Sequence, residues 1–218
     1  MINSYINSEN GTPCFVIHDA LTPEHCDDLI KLYEPLVRQG SHQMTKDSGE
    51  SVLTTNKSIR NSDVAWTDNK DLDNWLFDLL RVANHNTGWR YDITSHEQHQ
   101  FTRYQPEGHY SWHMDGSGDH ICSRDPVFGM PKNLKEVANP ACAGTVRKIS
   151  ASVLLNDDFS GGEFDAKWLS EGQPITKEIK PKRGDAIFFP SSMQHRVRPV
   201  RTGIRYSLVS WFAGPPFK

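Results

Sequence analysis

The chain has 218 residues, of which 36% are hydrophobic, and a formal net charge of -3. That length suits one domain with a substantial core and is short for two of comparable size. No apolar run approaches the roughly 18 to 20 residues of a membrane-spanning helix, and the charge balance gives no general reason to bind nucleic acid.

The opening stretch, MINSYINSENGTPCF, lacks the basic and apolar regions of a secretory leader. Cys14, Cys26, Cys122 and Cys142 stand apart without CxxC spacing, which argues against a disulfide framework and a zinc finger, so the expected compartment is a reducing cytoplasm. Residues 14–19 (CFVIHD) read as a short strand. The following LTPEHCDDLIKLYEPL opens a helix, with Thr22 as its cap, Pro23 in the first helical position and acidic residues in the first turn. Residues 40–58 are polar, rich in Ser, Thr and Gly, without a helical period, and are expected to form a long exposed loop. A second helix is predicted from about Asp68 to His85, because Leu72, Trp75, Leu76, Leu79, Leu80 and Ala83 recur at spacings of three and four.

From Trp89 onward, short runs of β-branched and aromatic residues alternate with Gly, Pro, Asn and Asp. Strands are predicted at 89–93, 97–104, 109–115, 148–156, 162–166, 175–180, 185–189, 195–200 and 204–213. The interval 116–147 interrupts them, and a loop of that length in a compact domain is usually functional or mobile. Lys177, Lys180, Lys182, Arg183, Arg196, Arg198, Arg201 and Arg205 cluster late in the chain; a solvated strand face accounts for most of them, and a small anion could be held among them. The whole is expected to be mainly β with N-terminal helices, a sandwich or barrel covered on one face.

In HYSWHMDGSG (109–118), His113 and Asp115 are two apart, so on a strand they present an imidazole and a carboxylate to one side while Trp112 and Met114 face away. A polar strand end is the bland alternative, and a third ligand is needed. His195 is the candidate, opening the strand HRVRPV. The loop Arg201-Thr202-Gly203 then suggests a three-residue hairpin with Gly203 in the left-handed region. In that register Val200 faces Ile204 and His195 faces Val209, so His195, Val197, Arg205, Ser207, Val209 and Trp211 share one face. Arg205 is then roughly 13 Å from the His195 row at about 3.3 Å per residue, a gap that a five-carbon dicarboxylate bound to a metal would bridge. A guanidinium suits the remote carboxylate because it pairs bidentately and stays charged. Two histidines and one carboxylate with open positions suit non-haem Fe(II) oxygenases, although zinc hydrolases use similar ligands.

With HMD at His113–Asp115, His195 after GDAIFFP and Arg205 ten residues beyond, the chain resembles the prolyl 4-hydroxylase-like branch of the Fe(II)/2-oxoglutarate dioxygenases. RYQPEGHYSWHMD, SASVLLNDDFSGGEF and RYSLVSW extend the likeness over roughly residues 97–213. It implies a double-stranded β-helix, a cupin-like jelly-roll. Residues 1–218 would form a single domain, with 1–88 as helical support and loop and 89–213 as the jelly-roll core. It implies Fe(II) on His113, Asp115 and His195, 2-oxoglutarate held by Arg205 and Tyr104, O2 as cosubstrate and L-ascorbate as accessory reductant. The implied reaction converts 2-oxoglutarate to succinate and CO2 while hydroxylating a substrate, with a prolyl residue of a peptide or protein as first choice. Asp115 favours hydroxylation, since halogenating relatives lack that carboxylate. Trp211 would line the substrate pocket or fill the core.

Other readings stay open: a hydroxylase of a free amino acid or small metabolite, and a non-catalytic cupin-like module that keeps a metal as structure or sensor. His96 and His99, in HEQH, lack the HExxH spacing of zinc proteases and are expected as surface or packing residues. His109 and His120 flank the site, as contacts or as ordinary loop residues. Cys122 and Cys142 are expected as free thiols. Asn156, Gly161 and Gly162 are expected to shape a turn. Loops 40–58 and 116–147 are candidate lids.

Overall fold

The computed structural model describes residues 4–5, 13–45, 51–116, 121–122 and 144–217. Two helices form as expected. Helix Pro23–Tyr33 starts where the Thr22 hydroxyl accepts from His25 N, and Pro23 occupies the position where a missing N–H does no harm. Helix Lys70–Asn86 is capped by the Asn69 side chain, which accepts from Asp71 N and Leu72 N, and it buries Leu72, Leu76, Leu79, Leu80 and Ala83. No helix among the described residues is long and apolar enough to cross a membrane.

Two large antiparallel sheets and two small two-stranded ones carry the strands among the described residues. The major sheet runs Ser4–Tyr5, Phe15–Ile17, Ala186–Pro190, Thr145–Leu154, Arg205–Gly214, His99–Tyr104, Asp63–Thr67, Arg38–Gln39, with two short strands attached at its side. The minor sheet runs Gln173–Ile179, Phe164–Ser170, Gln194–Val197, His109–His113, Arg60–Asn61. Strand alternation splits the core in two. Phe15, Ile17, Phe101, Ile149, Ala151, Val153, Leu208 and Phe212 pack under the helices. Tyr104, Ile187 and Phe189 of the major sheet meet Phe164, Ala166, Ile179 and Val197 of the minor one. The second set fills the space between the sheets, giving the jelly-roll layering.

Several expectations require correction. Residues 89–93 are not a strand: the Asn84 side chain bonds both Tyr91 N and Tyr91 O, groups that a ladder would use, and Arg90 has a φ of 53°. Residues 40–58 are not one loop, because His42–Thr45 pairs antiparallel with Ser51–Thr54. Strands Phe15–Ile17 and Asp63–Thr67 join the major sheet and Arg60–Asn61 the minor one, so the first 88 residues supply strands to both sheets besides helices and loop. Most of the interval 116–147 lies outside the described residues; Ile121–Cys122 pairs with Thr145–Val146.

The hairpin register also differs. Gln194–Val197 pairs with His109–His113 and Phe164–Ser170, whereas Arg205–Gly214 pairs with Thr145–Leu154 and His99–Tyr104. The chain between them changes sheets. Val200–Thr202 leaves to pair with Ser160–Gly161, and Gly203 turns with a φ of 73° at a point where a Cβ would lie 2.3 Å from Asp158 O. His195 and Arg205 therefore belong to opposite walls of the sandwich.

Candidate metal centre and anion clamp

Three side chains converge between the sheets. The ligand-type atoms of His113, Asp115 and His195 all lie within 4.8 Å of one another. His113 faces His195 directly in the antiparallel pairing, and their ring centroids are 4.2 Å apart. The register shifts between Tyr110 and His113; this bulge lets two residues three apart both turn inward. Tyr110 then stacks on His113 with centroids 3.5 Å apart, and burial pushes its phenol up to about 12, so it stays neutral. Asp115 sits just past the strand, where its own N and that of Gly116 both donate to Ser191 O. Met114 between the two ligands is exposed, and Trp112 lies under the Arg196 guanidinium on the outer face.

Second contacts set the orientation of the ligands. The Nδ1 atoms of His113 and His195 lie 2.8 and 3.1 Å from the carbonyl oxygens of Ser111 and Met193. A carbonyl only accepts, so each neutral ring carries its proton on Nδ1 and turns the Nε2 lone pair inward. Each Nε2 lies 3.6 Å from an Asp115 oxygen. Burial lowers His195 to about 4, with neighbouring His113 lowering it further against the pull of Asp115. Burial alone would raise the Asp115 carboxyl, but His195, His113 and Arg147 outweigh it and hold it well below the usual carboxylate range. Asp115 Oδ2 is buried without a hydrogen-bond partner among the described residues. A buried carboxylate oxygen facing two imidazole lone pairs is a set that a divalent cation satisfies, and the ligand types suit iron, zinc or manganese alike.

Arg205 comes from the other wall. It is 2% exposed, its Nη1 donates to Ser207 Oγ at 3.1 Å, and its Nε has no partner among the described residues. Burial lowers its pKa, and no carboxylate among those residues pairs with it. Another buried guanidinium, Arg60 of the minor sheet, is satisfied by neutral acceptors: Ser62 Oγ, Ser41 O and Gln100 Oε1. Arg205 lies directly opposite Tyr104, its guanidinium 5.5 Å from the ring centroid. Tyr104 packs in the same inter-sheet cluster as Phe164 and Phe189, the two rings against His195. Arg205 and the three ligands thus come from the two sheets that meet at this cluster. The remaining late basic residues stay outside it: Arg196 and Arg198 pair with buried Asp165, Arg183 with Asp27, and Lys180 with Glu178.

Two supports had no signal beyond ordinary turn or strand residues. The Asn156 amide brackets Arg205, donating to Ile204 O at 2.6 Å and accepting from Tyr206 N at 2.7 Å, and also bonds Asp158. Asn156 was expected only to shape a turn, and it fixes the backbone on both sides of the guanidinium. Arg147 donates from Nε and Nη2 to Glu97 at 2.5 and 2.6 Å and from Nη1 to Asp115 O at 3.0 Å, while lying 4.4 Å over Trp211. Trp211 itself is buried and stacks near Trp66. His109 sets its ring nitrogens against the carbonyl oxygens of Glu107 and Ser58, tying loop to strand. His120 and Cys142 lie outside the described residues.

Known proteins share both sequence and architecture with the chain. A PKHD-type hydroxylase of Hyphomonas neptunium is 32% identical over 115 residues, covering 51% of this chain and 41% of that protein. Prolyl 3-hydroxylase 2 of Rattus norvegicus is 40% identical over 76 residues, 34% of this chain and 11% of that protein. The chain thus matches well under half the length of these curated relatives. Among solved structures, a Pseudomonas putida prolyl-4-hydroxylase superposes with a TM-score of 0.63 at 19% identity, covering 94% of this chain and 95% of that one. The viral collagen prolyl hydroxylase of Paramecium Bursaria Chlorella virus-1 gives 0.59 at 20% identity, covering 94% and 98%. These two likenesses speak for the fold. Residues 99–213, which include all three converging ligands, Tyr104 and Arg205, match the 2OG-Fe(II) oxygenase superfamily, and the chain belongs to that family.

Proposed function

We propose that the chain is an Fe(II)- and 2-oxoglutarate-dependent dioxygenase that hydroxylates a prolyl residue in a peptide or protein. His113, Asp115 and His195 would hold the iron. Arg205 would pair with the distal carboxylate of 2-oxoglutarate beside Tyr104. The observation that carries this reading is the buried guanidinium of Arg205, without a counter-charge among the described residues, on the sheet that packs through Tyr104, Phe164 and Phe189 against the wall bearing a two-histidine, one-carboxylate set. A structural metal alone would give no reason for a buried cation to be kept without a counter-charge.

When bound, Fe(II) supplies activation of O2 coupled to decarboxylation of the 2-oxo acid to succinate and CO2. The chain supplies orientation and exclusion of water. The Ser111 and Met193 carbonyls hold the Nδ1 protons and thereby keep both Nε2 lone pairs available. Asp115 contributes one negative charge, leaving net positive charge for the anionic cosubstrate. Phe164 and Phe189 pack against His195 and keep that side of the site dry. Arg205 places the cosubstrate by a charge-assisted contact in a low-dielectric setting, where such a contact is strong.

The prolyl assignment draws on the relatives named above, several of which are prolyl hydroxylases; a further structural neighbour is a Trichoplax adhaerens prolyl hydroxylase in complex with a hypoxia-inducible-factor peptide fragment. Ascorbate as reductant and the cytoplasm as compartment belong to the same proposal. Anaerobic addition of Fe(II) and 2-oxoglutarate is expected to give a metal-to-ligand charge-transfer band, and admitting O2 to release succinate. Proline-containing peptides should then gain about 16 Da, the mass of one oxygen atom. Metal binding without the band or succinate would refute the dioxygenase reading, and product only from free amino acids would refute the prolyl one.

A further inference from the structure

On the opposite, helix-covered face of the major sheet, a second two-histidine, one-carboxylate cluster is assembled. Asp73 lies in the first turn of helix Lys70–Asn86, His96 in the short strand Ser95–His96, and His99 at the start of His99–Tyr104. One ligand-type atom from each lies within 4.8 Å of the others. His99 Nε2 is 2.7 Å, and His96 Nε2 3.7 Å, from the same oxygen, Asp73 Oδ1. The rings stack nearly parallel, centroids 5.1 Å apart, which sets the two Nε2 atoms side by side, and Phe77 closes edge-on against His96.

The hydrogen bond behind one of these rings repeats those of the first cluster. His96 Nδ1 lies 2.8 Å from Glu97 O. Because a carbonyl accepts, neutral His96 carries its proton there and aims an unprotonated Nε2 toward a carboxylate, an arrangement that a cation between them stabilises. His99 Nδ1 lies 2.8 Å from Ser210 Oγ. A hydroxyl can donate or accept, so His99 can give its Nε2 proton to Asp73 in the metal-free chain. It can also shift that proton to Nδ1, toward Ser210, when Nε2 takes a metal, with no net proton release. In the cation-free state the His99–Asp73 contact serves as an ordinary buried hydrogen bond, with His96 Nε2 3.7 Å from the same carboxylate oxygen.

We propose that Asp73, His96 and His99 form a second metal site, suited to Zn2+, that pins the helix Lys70–Asn86 to the back of the sheet. Two imidazoles and one carboxylate are a common zinc set, and His96 and Asp73, each about a fifth exposed, leave room for a water in the fourth position. Zinc–ligand lengths of about 2.0–2.1 Å place tetrahedral donors about 3.3 Å apart. The 2.7 Å separation would need to open by about 0.6 Å and the 3.7 Å one to close by about 0.4 Å, within the reach of small side-chain rotations. The site is distinct from the first cluster, since His99 and Ser210 lie on the sheet face opposite Gln100 and Val209.

Metal uptake tests this without reference to turnover. The metal-stripped chain carrying His113→Ala and His195→Ala, titrated with Co2+, is expected to bind about one ion with the visible absorption of a four-coordinate site, and Zn2+ should raise its melting temperature. Adding His96→Gln should abolish both signals while leaving the metal-free melting temperature in place, because the His99–Asp73 hydrogen bond remains. Should the double-alanine chain fail to fold, the otherwise unaltered chain serves: its Co2+ stoichiometry should fall from about two to about one on His96→Gln. Uptake unchanged by His96→Gln, or no uptake beyond the first site, would overturn the proposal.

Discussion

Arg205→Met should raise the stability of the unliganded chain while weakening 2-oxoglutarate binding, two effects of opposite sign from one side chain. In the structure the guanidinium is buried, its Nε is unpartnered, and its compensation is one hydrogen bond to Ser207 and the face of Tyr104. Replacing buried charge by an apolar group of similar volume gains about 1–4 kcal/mol in comparable settings. The lost hydrogen bond and cation–π contact offset roughly 1–2 kcal/mol of this. The midpoints leave a net gain of about 1 kcal/mol, which corresponds to a melting temperature higher by about 2–4 °C for a chain of this size. With 2-oxoglutarate bound the balance reverses: removing one member of a buried charge pair loses about 3–5 kcal/mol, or roughly 150- to 4000-fold in Kd. Differential scanning calorimetry of the metal-stripped chain and an anaerobic titration read by the charge-transfer band measure the two halves. A variant that melts lower and still binds 2-oxoglutarate as the parent does would show that Arg205 is a packing residue and the clamp argument wrong.

Asn156→Ala removes the amide that fixes Ile204 and Tyr206, so 2-oxoglutarate affinity should fall roughly tenfold, matching about 1–1.5 kcal/mol for a lost backbone clamp; unaltered titration curves would exclude that positioning role. Arg147→Met leaves Asp115 O and Glu97 without their shared donor, and metal affinity measured by chelator competition should drop about 10- to 100-fold; an affinity equal to the parent's would count against it. The metal-stripped chain should lose stability in acid, because His195 titrates near 4 when folded and near its ordinary value of about 6.5 when unfolded. Below the unfolded value the unfolded state binds more protons, so this contribution is intact above about pH 6.5 and declines toward pH 4 by roughly 3 kcal/mol in all. Denaturant midpoints for the parent and His195→Gln across that range should converge as the pH falls, and parallel curves would contradict the assignment.

How much of this site was legible from sequence depended on whether a residue's role is local. Helix Pro23–Tyr33 announced itself because a cap, an N1 proline and an acidic residue in the first turn are properties of neighbouring residues. His113 and Asp115 were legible for the same reason, being two apart at the end of a strand, although the bulge that also turns Tyr110 inward had no visible mark. His195 and Arg205 were found as residue types, but their placement across one hairpin was wrong. Gly203 does adopt a positive φ, yet the turn it makes carries the chain from one sheet to the other, and a local turn signal is the same in both cases. The consequence is chemical. On one hairpin, two inward side chains would stand in a row on a single wall, with the substrate lying over an open face. On opposite walls, the Arg205 and Asp115 side chains are both buried. The two buried charges therefore come from different sheets because the chain crosses between them at Gly203, a feature that no spacing within the chain encodes.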